Sequence, residues 1–189
     1  RVFHVHPGVG TLVNAAGLWL IEQGKRTRWG VLVAESGFGA AVEASTTALA
    51  SNRGARIVER VSVPSSFQDW PAVLGRLSEA QVDAVLVGLE PNATRDLLGR
   101  ATAAGLTAEL AVVSSNPDLP QEAQPSALSG VWPLVWHRSL ERYSARELNG
   151  RFSRRFERPL DGAAWAAWAA VKIVTEAAVR AGSVETQSI

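Results

Sequence analysis

Few side chains in this sequence could do chemistry, and their spacing narrows what that chemistry is. In Arg28–Gly39, an apolar run from Val31 to Ala34 ends in Glu35-Ser36-Gly37. Phe38 and Gly39 then open an alanine-rich helical pattern. A strand, a tight loop and a helix start follow in that order. Such a loop lies at the carboxyl end of a strand, where open α/β sheets bind ligands. Gly37 and Gly39, with Glu59 about 20 residues on, also form part of a dinucleotide fingerprint, the acid serving the ribose. Val42 holds its third glycine position, where close helix–strand packing favours the smallest residue. Phe38 crowds the approach of a pyrophosphate.

Other constellations are thinner. His4 and His6 share one face of an alternating stretch, Arg1–His6, a spacing that can chelate a metal. No third ligand is visible, and two polar strand positions account for the pair equally well. His137 follows Trp136, either lining a crossover or standing on the surface. Gly-x-Ser-x-Gly does not occur, and three histidines give a serine hydrolase little to choose from. Trp165 and Trp168 are three apart, on one helix face.

The elements that must position these residues read in order. The chain has 189 residues and a net charge of +1, with no bulk field favouring nucleic acid. Its apolar runs are too short to insert in a membrane. Cysteine is absent, which excludes disulfides and thiolate chemistry. Methionine is absent even at position 1, so the sequence reads as an incomplete translation product, and a signal peptide could have been removed upstream.

Thr11 is the expected N-cap of a helix over 12–23. Strands are expected at 29–34, 55–63, 82–87 and 110–113, with helices at 38–53, after Asp69, and from Pro91 to Ala104. Residues 114–129 read as a loop. Residues 130–136 read as an edge or crossover strand because of Pro133. Helices near 144–157 and 161–181 close the chain. Strands alternating with helices predict an α/β fold: a parallel sheet with helices on both faces.

In this order the motifs Trp29-Gly-Val-Leu-Val33, Gly37-Phe38-Gly39, Gly54–Val58, Val63-Pro64, Asp69, Val82–Val85 and Ala104-Gly-Leu106 resemble the second lobe of type I periplasmic solute-binding proteins. The nearest branch is the leucine/isoleucine/valine-binding type of ABC-transporter receptor. The resemblance implies that residues 1–8 cross between lobes, 9–129 form the second lobe, 130–140 return, and 141–189 are first-lobe helices. Most of the first lobe would then lie upstream. Asp161, Trp165 and Trp168, with the Phe3-His4 start, also resemble a sub-branch associated with PQQ-dependent alcohol dehydrogenase systems.

The resemblance implies a non-enzymatic, periplasmic receptor, without cofactor or resident metal, that clamps a small solute and delivers it to a membrane ABC permease. Three loops carry the site across. The first holds Ser36, Phe38 and Gly39, where the branch often has tyrosine at Phe38. The second holds Leu89 and Glu90, whose carboxylate could take an ammonium or, with Glu35, a cation. The third holds Ser114, Ser115 and Asn116, where amino-acid receptors prefer an acid. These departures put an ordinary amino-acid ligand in doubt. Bland roles compete at each loop: Phe38 packing under its helix, Glu90 favoured by the helix dipole, Ser114 and Ser115 capping a turn. A dinucleotide-binding enzyme domain and a ligand-sensing effector domain are the alternative functions.

Overall fold

The computed structural model describes residues 5–116, 119 and 130–185. They fall into two compact units, Gly8–Pro133 and the remainder.

The larger unit is built on four parallel strands: β1 (Arg28–Ala34), β2 (Arg56–Val63), β3 (Ala84–Gly88) and β4 (Glu109–Val112). Their order is β2-β1-β3-β4. One register row runs Val61, Leu32, Val87, Val112. Side chains alternate across the sheet, so each strand feeds two cores. Trp29, Val31, Val33, Leu86 and Ala111 pack with α1 (Val9–Glu22) and α2 (Gly37–Arg53). Leu32, Val85, Val87 and Val112 pack with α3 (Trp70–Glu79) and α4 (Pro91–Ala103). Burial on both faces is why β1 and β3 are nearly continuous apolar runs, whereas the edge strand β2 buries only Val61 and Val63 and carries Arg56, Arg60 and Ser62 exposed.

Two close approaches of α2 to the sheet require glycine. A Cβ on Gly39 would sit 1.9 Å from the carbonyl oxygen of Ala34, and one on Gly88 would sit 2.8 Å from Val42. Gly54, at φ +74°, ends α2 in the left-handed conformation that glycine adopts most readily. Asp69 caps α3, accepting from the N–H of Ala72 at 3.4 Å.

The amino edge of the sheet is fastened by one carboxylate. Asp83 accepts from the N–H of Thr27 (2.9 Å) and of Arg28 (3.0 Å). The Arg28 guanidinium in turn donates to the carbonyls of Gln81 and Ala80.

Three expectations change. The first helix begins at Val9 behind Gly8, one turn before Thr11, and no side chain caps it. Residues 130–136 form no strand. Only Val131 bridges to Ala111, because the N–H donors end at Pro133 and the chain turns away. Val5 and His6 are not in a strand, while residues 1–4, including Phe3 and His4, lie outside the described residues, as does most of 114–129.

The smaller unit holds α5 (Ala145–Phe156) and α6 (Gly162–Ala181; N-cap Asp161). Its core is small: Trp136, Ala145 and Leu160 are buried, with Leu148, Phe152 and Trp165 packed on them. Trp136 stacks on Trp165 at 5.6 Å. Trp168, three residues on from Trp165, is exposed beneath the Lys172 ammonium.

Candidate functional site

From β1 the chain passes to β2 on one side, and β3 then joins β1 on the other. The strand order therefore reverses between β1 and β3. Beyond the carboxyl ends of two strands that diverge this way, their loops separate and leave a crevice. Two helices, α2 and α4, start at this edge.

The β1–α2 loop is shaped by its own serine. Ser36 accepts the Gly39 N–H at 3.1 Å, so its oxygen caps the helix while its O–H keeps a donor. Gly39 is buried and its N–H is taken, so this residue serves packing. The N–H groups of Gly37 and Phe38 have no partner among the described residues, as expected of a first helical turn. The Phe38 ring is half-buried against the α1–α2 core.

The β3–α4 loop divides its two residues. Leu89 has no exposure and packs in the α3–α4 core, so its side chain does not face the edge. Glu90 is half-exposed and forms the N-cap of α4 by its backbone alone. Its carboxylate accepts the Ser115 hydroxyl at 3.4 Å, which joins the β3 and β4 loops. Pro91 has no N–H, and those of Asn92 and Ala93 are without a partner among the described residues. Ser114 accepts from the Asn116 N–H at 3.0 Å and turns the chain. Segments 35–39, 88–92 and 113–116 carry Glu35 and Glu90 and no cationic side chain. The edge thus offers hydroxyls, helix-start amides, an aromatic face and two carboxylates. It can grip a small polar molecule through hydrogen bonds and one ring.

Sequence reasoning found these loops because they follow apolar runs and open helices. It missed the open amides of Asn92 and Ala93, for which Pro91 at a helix start was the available signal.

The alternatives lose their geometry. Glu59, whose ribose-binding role needs a strand end, sits mid-strand opposite Gly30, four residues or about 13 Å short of the carboxyl edge. It is paired with Arg76. Val42, at the third glycine position, is fully buried on Gly88, so the small residue of this helix–strand contact is on the strand. His6 shares Nδ1 with the carbonyl of Pro7, and His4 lies outside the described residues. His137 bonds through Nδ1 to the Ser139 hydroxyl at 2.7 Å. No cluster of three or more His, Cys, Asp or Glu that could hold a metal occurs among the described residues. No helix among them is long and apolar enough to cross a membrane.

Comparison with known proteins gives the frame for this edge. The family described as periplasmic binding protein matches residues 1–189. The chain belongs to the periplasmic binding proteins. No curated protein matches it. Among solved structures, it resembles a branched-chain amino acid ABC transporter periplasmic ligand-binding protein from Burkholderia xenovorans LB400. There the TM-score is 0.82 and the identity 14%, over 95% of this chain and 48% of that one. The leucine-, isoleucine-, valine-, threonine- and alanine-binding protein of Brucella ovis, in a closed conformation, gives 0.80 and 18%, over 95% and 47%. An ABC transporter solute-binding protein from R. palustris in complex with benzoate gives 0.74 and 16%, over 97% and 51%. This periplasmic binding protein therefore has the type I fold of ABC receptors, and the chain spans about half the length of the structures it matches.

Proposed function

We propose that this chain is the ligand-capturing part of a periplasmic solute receptor that serves an ABC permease and has no catalytic role. The observation that carries this reading is the reversal of strand order between β1 and β3, flanked by the amino ends of α2 and α4 and by the Glu90–Ser115 pair. In this proposal residues 9–129 are the second lobe and present one wall of a cleft. Residues 1–8 and 130–140 cross between lobes, and 141–189 contribute helices to the first lobe. A solute enters the open cleft and the lobes close on it by bending the crossovers.

Ser36, Phe38, Glu90, Ser115 and Asn116 provide the contacts of this wall, with the amides of Gly37 and Phe38. Gly39 and Leu89 support them from behind. The amides suit a carboxylate, and Glu90 suits a donor group such as an ammonium or a hydroxyl. An amino acid, a short organic acid or a compound tied to alcohol oxidation meets that description. The named ligands of the matched structures, branched-chain amino acids and benzoate, are the first to try.

The test is isothermal titration of branched-chain amino acids, benzoate and C2–C5 hydroxy and keto acids. For a solute that binds, Glu90→Ala and Phe38→Ala should each weaken binding about 10-fold, the loss of one hydrogen bond to a charged group or of one ring contact. If both variants bind as the parent does, this edge is not the site.

A further inference from the structure

The segment that leaves the sheet, residues 130–140, is held at both ends, and the two fastenings leave a short gap. On the sheet side, Val131 is pinned to β4 in both directions. Its N–H donates to the Leu110 carbonyl at 2.7 Å, and its carbonyl accepts from the N–H of Val112 at 2.9 Å. Gly130 makes this contact possible. It sits at φ +111°, and a Cβ there would lie 2.2 Å from the Leu110 oxygen. Trp132 continues the attachment by packing on the α3–α4 core.

On the helical side the fastening is a single amide side chain. Asn149, on α5, accepts the Trp136 indole N–H through Oδ1 at 2.8 Å. Its Nδ2 donates to the carbonyls of Arg138 (3.2 Å) and Leu140 (3.3 Å). Trp136 is buried and stacked on Trp165, so the anchor does not rotate freely. The N–H of Ser139 donates to His137 Nδ1 at 3.2 Å, and the Leu140 N–H to the His137 carbonyl at 3.0 Å, which closes the turn.

Between the fastenings stand Pro133, Leu134 and Val135. The proline ring fixes its own φ and restricts the residue before it. The free torsions are those of Leu134 and Val135, with ψ of Pro133. The division between the two compact units falls at Pro133 and Leu134.

We propose that Asn149 is a positioning residue that clasps Trp136–Leu140 to α5 and thereby confines bending of this crossover to Leu134 and Val135. This rests on the receptor reading for its purpose, since a short hinge makes closure a repeatable rotation. The clasp itself is a property of the chain and needs no solute.

The experiment is 15N relaxation dispersion on the full chain without ligand, which reads motion on the microsecond to millisecond scale of domain rotation. Exchange is expected at Leu134 and Val135 and not at Trp136–Leu140. Asn149→Ala should spread it through Trp136–Leu140 and speed solvent exchange of the Trp136 indole proton at least 10-fold. Asn149→Asp keeps the indole acceptor and loses both donors. It should free Arg138–Leu140 while Trp136 stays protected, a split that a general loss of stability would not produce. Exchange that already covers 136–140 in the parent, is absent from 134–135, or is unmoved by Asn149→Ala overturns the proposal. Failure of the receptor reading shows elsewhere, as no solute bound in titration, and leaves the dispersion pattern as it is.

Discussion

The unit Gly8–Pro133 and the helices α5 and α6 satisfy their apolar residues very differently. In the sheet unit, β1, β3 and β4 are covered on both faces, and Trp29, Val31, Leu32, Leu86 and Val87 have no exposure. In α6, twenty residues long, only Gly162 and Ala169 are buried. Val171, Ile173, Val174 and Val179 are all more than half exposed. A solvated helix does not ordinarily carry so many large apolar side chains. The sheet unit closes its own core, whereas the sequence of α6 is written for more contact than the described residues supply. The proposed assignment of residues 141–189 to the first lobe supplies it.

The comparison breaks first at the tryptophans. Trp29→Ala should cost about 3–5 kcal/mol, because a fully buried ring leaves a cavity. Trp168→Ala should cost about 1 kcal/mol or less, chiefly its contact with Lys172. Urea titrations of the two variants check this, and equal losses would erase the distinction between the units. A smaller effect sharpens it within the sheet unit. Gly88→Ala should cost about 1–3 kcal/mol, since the new methyl meets the β-branched Val42 on a rigid helix. Pairing it with Val42→Ala should recover part of the loss in the same titrations. The smallest effect concerns the surface of the sheet unit. Glu59→Gln removes a partly exposed ion pair with Arg76 and should shift stability by about 0.5 kcal/mol or less. A large loss of stability there would mean that the sheet depends on its rim as well as its core.

The elements of the sheet unit were legible because each has a chemical signature of its own. Val31–Ala34 and Ala84–Val87 are short apolar runs, Asp69 with Pro71 opens a helix, and Gly54 and Gly105 stop two others. The loops of the candidate site were legible for the same reason, lying where one pattern changes into the next. What the sequence conceals is competition for the same group. Ser36 reads only as a loop hydroxyl until its oxygen is found also holding the Gly39 N–H, which leaves it the O–H as a donor. Leu89 reads as a loop residue until β3 is seen to carry it into the core. Val131 reads as part of a strand because residues 130–136 are mostly apolar, yet only one residue of that run finds a partner. Asn149 gave no signal, since its partners stand 9 to 13 residues away and two of the three are backbone carbonyls.

The fastening at the amino edge has a further consequence. Asp83 and Arg28 lace the strand ends together on the side away from the candidate site. The loops at 35–36, 90 and 114–116 carry little of that duty. Those few positions can therefore be substituted at little cost to the sheet, while the lacing at the other end stays in place. The groups that hold the sheet together and the loops of the candidate site thus stand at opposite ends of the same strands, and a change at one end leaves the other intact.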